Sequence, residues 1–133
     1  MSSTTLVKTA RTVVASVSRA AGAAATRGTL DLRTAQGGVL TMKITNSGTL
    51  GVQCEGRVLI AHNAGATPTA ASAGTDWKTL WKFGGGVKSG DVTEQSMTVD
   101  PGVMHLEVEF HGNTTNAAVV EAYFSEITSA STT

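Results

Sequence analysis

Hydrophobic and polar residues alternate along much of this chain, and the clearest alternation lies in the segment GVMHLEVEFHG, residues 102–112. Successive side chains of a β-strand point to opposite faces of its sheet, so this segment is predicted to be a strand. We expect an apolar inward face and a charged, solvated outward face, formed respectively by Met104, Leu106, Val108 and Phe110 and by His105, Glu107, Glu109 and His111. Single Ala substitutions on the outward face are expected to change folding by less than roughly 0.5 kcal/mol.

Similar short runs occur along the rest of the chain, separated by Gly, Asn, Asp, Ser and Pro. They predict further strands at residues 9–18, 28–34, 39–46, 50–62, 77–83, 92–99 and 117–127. Residues 63–76, which include Pro68 and have no hydrophobic period, are predicted to be a loop. About eight predicted strands and no predicted helix indicate an all-β antiparallel β-sandwich, either a jelly roll or another Greek-key arrangement. We prefer the jelly roll because eight strands divide into two four-stranded sheets.

The 133 residues suffice for one domain. We divide the chain into an N-terminal arm (residues 1–8), a β-sandwich domain (9–128) and a C-terminal tail (129–133), and expect the polar arm to anchor the protein to a neighbouring chain. No stretch approaches the roughly 20 apolar residues that span a membrane. No basic region followed by a long apolar block opens the chain, so we expect it to be used without secretion.

The charge balance adds information about partners. The formal net charge is zero at pH 7, which gives no electrostatic reason to expect nucleic-acid binding. Charged residues make up 15% of the chain, against roughly 25% in typical soluble domains. Ala, Gly, Ser and Thr take their place. A surface of this kind suits contact with other protein, and we expect the chain to associate with itself, as a trimer.

Residues of the charged strand could be considered as metal ligands. His105, Glu107, Glu109 and His111 share one face, and His62 could join them from a neighbouring strand. Alternate residues on a strand lie nearly 7 Å apart, however, and the chain has no paired Cys or His spacing typical of zinc sites. A solvated face or a polar contact between subunits is the preferred interpretation, and we predict neither a metal nor a cofactor.

No catalytic arrangement can be identified, so we expect a protein that is not an enzyme. The glycines at 84–86, followed by Lys88, Ser89 and Gly90, lack the spacing of a phosphate-binding loop and predict a turn. Cys54 is the only cysteine and cannot form an intrachain disulfide. Its position on the predicted face of Val52 and Val58 favours a small buried side chain over a nucleophile.

Trp77 and Trp81 allow two interpretations. The strand pattern places them on one face, where they would either fill the core or, if exposed and coplanar, stack on sugar rings. The chain has only two tryptophans, one tyrosine and three phenylalanines, so a core location is preferred. The exposed arrangement would indicate a carbohydrate-binding module.

Three stretches resemble a known class of protein: TRGTLDLRTAQGGVLTMKITNSG, VLIAHNAGATPTAASAGTDWKTLWKF and VDPGVMHLEVEFHGNTTNAAVVEAYF. They are similar to small structural virion proteins of tailed bacteriophages over residues 9–128, and most similar to the jelly-roll cement or decoration proteins. The resemblance implies a non-enzymatic homotrimer that binds and stabilises the capsid. It also implies contacts with the major capsid protein or other virion proteins, synthesis in the host cytoplasm, and no nucleic-acid or membrane partner. A tail, neck or collar component is the alternative within the virion, and a carbohydrate-binding module using Trp77 and Trp81 is the alternative of another class.

Overall fold

The computed structural model describes residues 4–62 and 77–132, which form eight β-strands and no helix. The strands are β1 (Thr4–Arg19), β2 (Thr26–Asp31), β3 (Gly38–Asn46), β4 (Glu55–Ala61), β5 (Trp77–Gly84), β6 (Val92–Val99), β7 (His105–His111) and β8 (Ala118–Thr132). Within these ranges, no helix is long and apolar enough to cross a membrane. The loop predicted at residues 63–76 lies outside the described residues.

The strands form two four-stranded sheets, a first sheet in the order β1-β8-β3-β6 and a second sheet in the order β2-β7-β4-β5. All pairs are antiparallel, and β1 pairs with β8, β2 with β7, β3 with β6 and β4 with β5. This nested pairing is that of a long hairpin folded across two sheets, which is the jelly-roll arrangement. The predicted antiparallel β-sandwich is therefore confirmed.

The core lies between the two sheets and comes from the alternate residues that the hydrophobic pattern indicates. Leu40, Met42 and Ile44 of β3 are buried, as predicted. Leu106, Val108 and Phe110 of β7 face them across the sandwich and have no exposed surface. Residues of β8 complete this core, namely Ala118, Val120, Ala122 and Phe124. The hydrophobic pattern of the sequence agrees with the burial of these side chains because every second residue of a strand points to the same face.

Strand β4 is shorter than predicted. It begins at Glu55, whereas the sequence predicts a strand from Leu50. The backbone of the preceding residues bonds to loops instead of a sheet: Leu50 donates to the carbonyl of Val87 at 2.8 Å, and Val52 accepts from Thr114 at 3.2 Å. Val52 is consequently 55% exposed, so the expectation that it shares a buried face with Cys54 is wrong.

Strand β1 is longer than predicted at its beginning. It starts at Thr4, and residues 4–7 pair with residues 129–132 of β8. Parts of the predicted arm and tail therefore form the end of one antiparallel ladder within the same chain.

Candidate functional site

The outward side chains of β2, β7 and β4 form a dense set of charges on the second sheet. We call this surface the charged face and define it by Arg27, Asp31, Glu55, Arg57, His105, Glu107, Glu109 and His111. The register places Glu109 directly between Arg27 and Arg57 on the neighbouring strands. It also places His105 beside Asp31, and His111 beside Glu55.

The expectation that these side chains of β7 are solvated is wrong for three of the four. His105 and Glu107 are each 2% exposed and Glu109 is 0% exposed, so both faces of this central strand are buried up to His111, which is half-buried. Alternation shows which side chains share a face, but it does not show whether solvent reaches the polar one. The polar side of β7 is therefore shielded from solvent, although it lies on the outer face of the second sheet.

Arginines compensate the buried carboxylates. Arg57 Nη2 and Nε donate to Glu109 Oε1 at 2.7 and 3.2 Å. Arg27 Nη1 lies 3.7 Å from Glu109 Oε2 and 3.9 Å from Glu107 Oε1. A buried carboxylate is tolerated when a cation and hydrogen bonds replace its hydration. The charged face is therefore held together by ion pairs across three strands.

This arrangement does not resemble a metal site. Across residues 4–62 and 77–132, no group of three or more His, Cys, Asp or Glu side chains is placed to hold a metal ion. The carboxylates of Glu107 and Glu109 are already paired with Arg27 and Arg57. The positive charge of these arginines would repel a metal ion. His62, the proposed additional ligand, is exposed beyond the end of β4.

Cys54 is free and buried, as predicted. Burial raises the pKa of its thiol above the ordinary value, with a smaller opposing effect from Arg19. A protonated thiol is a poor nucleophile, so the position of Cys54 favours packing over chemistry.

The two tryptophans lie on opposite faces of the second sheet because β5 contains a bulge. Val58 pairs with Trp81, but the next residue, Leu59, pairs with Thr79, so β5 has one extra residue here. A bulge of one residue reverses the alternation of side chains beyond it. Trp77 packs with Leu59 and Ala61.

Trp81 instead packs against the main core and stacks on Phe83, with ring centroids 5.1 Å apart and planes inclined by 22°. The expectation of one shared aromatic face is wrong. Trp81 thus has the preferred core location, whereas Trp77, although only 7% exposed, is buried on the outer side of the second sheet and not in the main core. The two rings form no common platform, so the carbohydrate-binding alternative loses the feature on which it was based.

The glycine-rich segment after β5 is a turn fixed by a residue that the sequence did not single out. The Asn46 side-chain amide donates to the carbonyls of Gly85, Gly86 and Lys88 at 3.2, 3.2 and 3.0 Å. These carbonyls point at Asn46, whereas a phosphate-binding loop must present N–H groups to its ligand. The preference for a turn over a phosphate site is consistent with this geometry.

The outer face of the first sheet differs from the charged face because many of its side chains are exposed. We call it the open face and define it by the outward residues Leu6, Lys8, Val39, Thr41, Lys43, Val92, Glu94, Ser96, Thr98, Glu121, Tyr123 and Ser125. Val39 is 46% exposed and Tyr123 is 44% exposed. Thr41 and Ser96 hydroxyls hydrogen-bond at 2.8 Å. Eight of these twelve residues have hydroxyl or apolar side chains, and the four charged ones are two lysines and two glutamates, so the face has no net charge.

One end of the open face contains a groove of about 520 Å³ that crosses all four strands of the first sheet. Its mainly apolar lining includes Leu6, Lys8, Val39, Thr98, Pro101 and Ile127. These residues are far apart in sequence and meet only through the strand order, so no local pattern could have predicted the groove. Exposed apolar surface of this kind is typical of sites where another protein binds.

Comparison with known proteins shows a similarity of fold. No protein-family model matches the sequence, and no curated protein sequence matches it. The K3 cleaved adhesin domain of Lys-gingipain from Porphyromonas gingivalis aligns with a TM-score of 0.53 and 16% identity, over 86% of this chain and 74% of that one.

Viral structures share the fold as well. The VP2 subviral particle of infectious bursal disease virus and the structure of the Gx strain of that virus each align with a TM-score of 0.51 and 8% identity. Each alignment covers 91% of this chain and 32% of the viral chain. This chain thus spans about a third of the length of those viral chains, and the likeness is one of fold.

Proposed function

We propose that this chain is a non-enzymatic structural virion protein that binds and stabilises a phage capsid, as a cement or decoration protein, in the form of a homo-oligomer. The observation that carries the proposal is the open face, with its apolar groove and its exposed hydroxyl and apolar side chains. Such a face suits a permanent contact with protein better than it suits solvent.

Two further observations support this function. The fold is also found in VP2 of a viral particle, and jelly rolls are common in viral capsid domains. The sequence resembles small virion proteins of tailed bacteriophages over most of its length. The mainly apolar lining of the groove is consistent with close packing against a shell, since charged residues are depleted at interface cores.

A cement protein acts by mass action and performs no reaction. It binds the assembled lattice and not the dissociated subunits, so each bound copy adds its binding free energy to the stability of the shell. A specific contact of this kind buries about 800 Å² on each partner. We assign this contact to the open face and its partner to the major capsid protein.

The experiment compares two matched substitutions in virions that otherwise lack the protein. Val39→Glu places a charge beside the groove on the open face, and Val52→Glu places the same charge on an exposed loop of the sandwich. We expect Val39→Glu to reduce the copies bound per virion at least tenfold and to lower the temperature at which DNA is released. Val52→Glu should bind like the wild type, and both isolated proteins should keep the wild-type melting temperature.

Electron microscopy of labelled wild-type protein completes the test. Label across the capsid surface would support the cement function. Label confined to the tail, neck or collar would overturn it in favour of the alternative virion position, and absence of the protein from virions would overturn both. Full occupancy by the Val39→Glu variant would show that the open face is not the docking surface.

A further inference from the structure

The first sheet ends in two free edges. Within the described residues β1 pairs only with β8, and β6 pairs only with β3. Each edge strand therefore presents backbone N–H and C=O groups without a strand partner, although the Val13 carbonyl of β1 packs against Gly28 of β2. Neither strand contains proline, and β1 is 16 residues long. Long free edges of this kind add further strands readily unless something protects them.

The two edges carry opposite charges. The exposed cations of β1 are Lys8 and Arg11, and β1 contains no acidic residue. On the other edge, β6 contains Glu94 and no basic residue, and Asp91 immediately precedes it. Like charges opposite each other destabilise a strand pair, whereas opposite charges stabilise it. Pairing of β1 with a second β1, or of β6 with a second β6, is thus disfavoured relative to pairing of β1 with β6.

The spacing of these charges defines a register. Lys8 and Arg11 are three residues apart, and so are Asp91 and Glu94. In an antiparallel pair, the register that places Lys8 opposite Glu94 also places Arg11 opposite Asp91. The segment Lys8–Thr12 pairs with β8 without a register shift, so its backbone is a regular strand that a second strand could pair with.

The side-chain faces match in this register. Lys8 lines the groove of the open face, and Glu94 lies on the same face because it pairs with Lys43, which contacts Glu121 at 3.7 Å. Arg11 and Asp91 lie three residues away and have the opposite parity, so they also share a side. A slip of one residue would move each charge to the wrong face. The same register sets Ala10 against Val92, which is 57% exposed.

We propose that β1 of one copy adds antiparallel to β6 of a second copy, with Lys8 opposite Glu94 and Arg11 opposite Asp91, so that the first sheets join head to tail. Arg11 already bonds to Glu126 at 2.7 Å, and its fork of donors can bridge Glu126 and the second copy's carboxylate. The contact is heterologous, because two different edges meet.

Strand direction favours a closed ring. In a four-stranded antiparallel sheet the two edge strands run in opposite directions. A rotation about an axis parallel to the strands preserves these directions, so β6 of one copy meets β1 of the next in the antiparallel sense. A heterologous contact repeated around such an axis closes into a ring when the rotation divides a full turn. The inference gives the proposed homo-oligomer its interface and rests on that part of the proposed function alone.

Charge reversal tests the interface in solution. Lys8→Glu and Glu94→Lys should each raise the dissociation constant of the oligomer at least tenfold in sedimentation at low salt, and the combined variant should restore association. Rescue within one chain is impossible, because Lys8 and Glu94 lie on opposite edges of one sheet, three strand spacings or about 14 Å apart. Lys88→Glu, which reverses an exposed loop charge, is the control and should leave the oligomer unchanged.

Cross-linking tests the register independently. Ala10→Cys combined with Val92→Cys should give disulfide-linked oligomers, because a disulfide requires Cα atoms within about 7 Å. Ala10→Cys combined with Val52→Cys should not. A monomeric wild type, oligomers that survive both single reversals, or no link between positions 10 and 92 would overturn the inference, whether or not the protein binds capsids. Failure to bind virions with the interface intact would overturn the proposed function instead.

Discussion

Arg57 and Glu109 meet on the outer face of the second sheet through two hydrogen bonds to one carboxylate oxygen, at 2.7 and 3.2 Å. The side chain of Glu109 has no exposed surface, whereas that of Arg57 is 34% exposed. The second oxygen, Glu109 Oε2, has no hydrogen-bond partner, and Arg27 lies 3.7 Å from it. The folded state of β7 thus depends on arginines from both neighbouring strands.

The first prediction follows from the unequal burial of this pair. Arg57→Ala leaves a buried carboxylate without its hydrogen bonds and should lower the free energy of unfolding by about 3–5 kcal/mol. Glu109→Gln removes the buried charge while the arginines remain partly hydrated, so it should cost about 1–3 kcal/mol. Urea denaturation measures both. Lys88→Ala, on an exposed loop position, is the control and should change stability by less than about 0.5 kcal/mol. Equal, small effects of the two main variants would contradict the ion-pair interpretation.

The second prediction concerns the inward side of the same strand. Phe110 is fully buried in the core, so Phe110→Ala should cost about 3–5 kcal/mol through lost burial and the cavity left behind. Tyr123→Ala removes an aromatic ring from the open face, where it is 44% exposed, and should cost less than about 1 kcal/mol. Thermal unfolding of both variants checks the comparison. A smaller effect at Phe110 than at Tyr123 would mean that the strand faces are assigned incorrectly.

The fold class could be predicted because apolar residues occupy alternate positions along the strands, where they face the space between the two sheets. Alternation in β3 and β7 correctly identified Leu40, Ile44 and Phe110 as core residues. The polar side of β7 could not be predicted, because a Glu that is paired with arginines from other strands has the same local sequence as a solvated one. Those arginines are far away along the chain and approach only in the folded sheet.

The tryptophans show a second limit of local patterns. The bulge in β5 changes the face of Trp77 relative to Trp81, and nothing in the segment WKTLWKF marks where the extra residue lies. The groove of the open face, like the buried ion pairs, is formed by residues that are distant in sequence and meet only when the four strands pair in the sheet. The local sequence therefore predicted the strands and their inward-facing residues, whereas the candidate sites depend on the register between distant strands.

The third prediction concerns Gly38 at the beginning of β3. A methyl group there would collide with the Ser125 carbonyl and approach Phe124 Cζ to 2.8 Å. Gly38→Ala should therefore destabilise the protein by about 1–3 kcal/mol or more, because one obstacle is the backbone of a strand in the middle of the sheet and the other is a buried ring. At Gly102 the nearest atom is Asp100 Oδ1 at 3.1 Å, which can move. Gly102→Ala should change stability by less than about 1 kcal/mol. Wild-type stability of the Gly38 variant in chemical denaturation would contradict the close approach of β3 and β8.

The fourth prediction is a pH dependence. Hydrogen bonds from the Arg33 side chain and backbone hold the pKa of Asp31 well below its usual range. A carboxyl whose pKa is lowered on folding stabilises the protein above its unfolded pKa of about 4, and this contribution is lost as the pH falls toward the folded pKa. Arg33→Ala removes the side-chain bonds, so the pKa of Asp31 should rise toward about 3.9 in an NMR titration. Lys88→Ala is the control. An unchanged Asp31 titration in the Arg33 variant would show that Arg33 is not the cause.

The last prediction compares two asparagines of the turn before β8. Asn113 is fully buried. Its Oδ1 accepts from Arg19 Nε at 2.6 Å, and its amide donates to the carbonyls of Arg19 and Asn116 at 3.2 and 3.0 Å. Asn113→Ala leaves these buried groups without hydrogen-bond partners. Each group that water cannot reach should lower the free energy of unfolding by about 1–3 kcal/mol. Asn116 is exposed and its side-chain amide donates to the Thr49 carbonyl at 2.7 Å, so water can replace this bond and Asn116→Ala should cost less than about 1 kcal/mol. Parallel urea titrations measure the difference, and equal costs at the two positions would show that the Arg19 network does not hold this end of the sandwich.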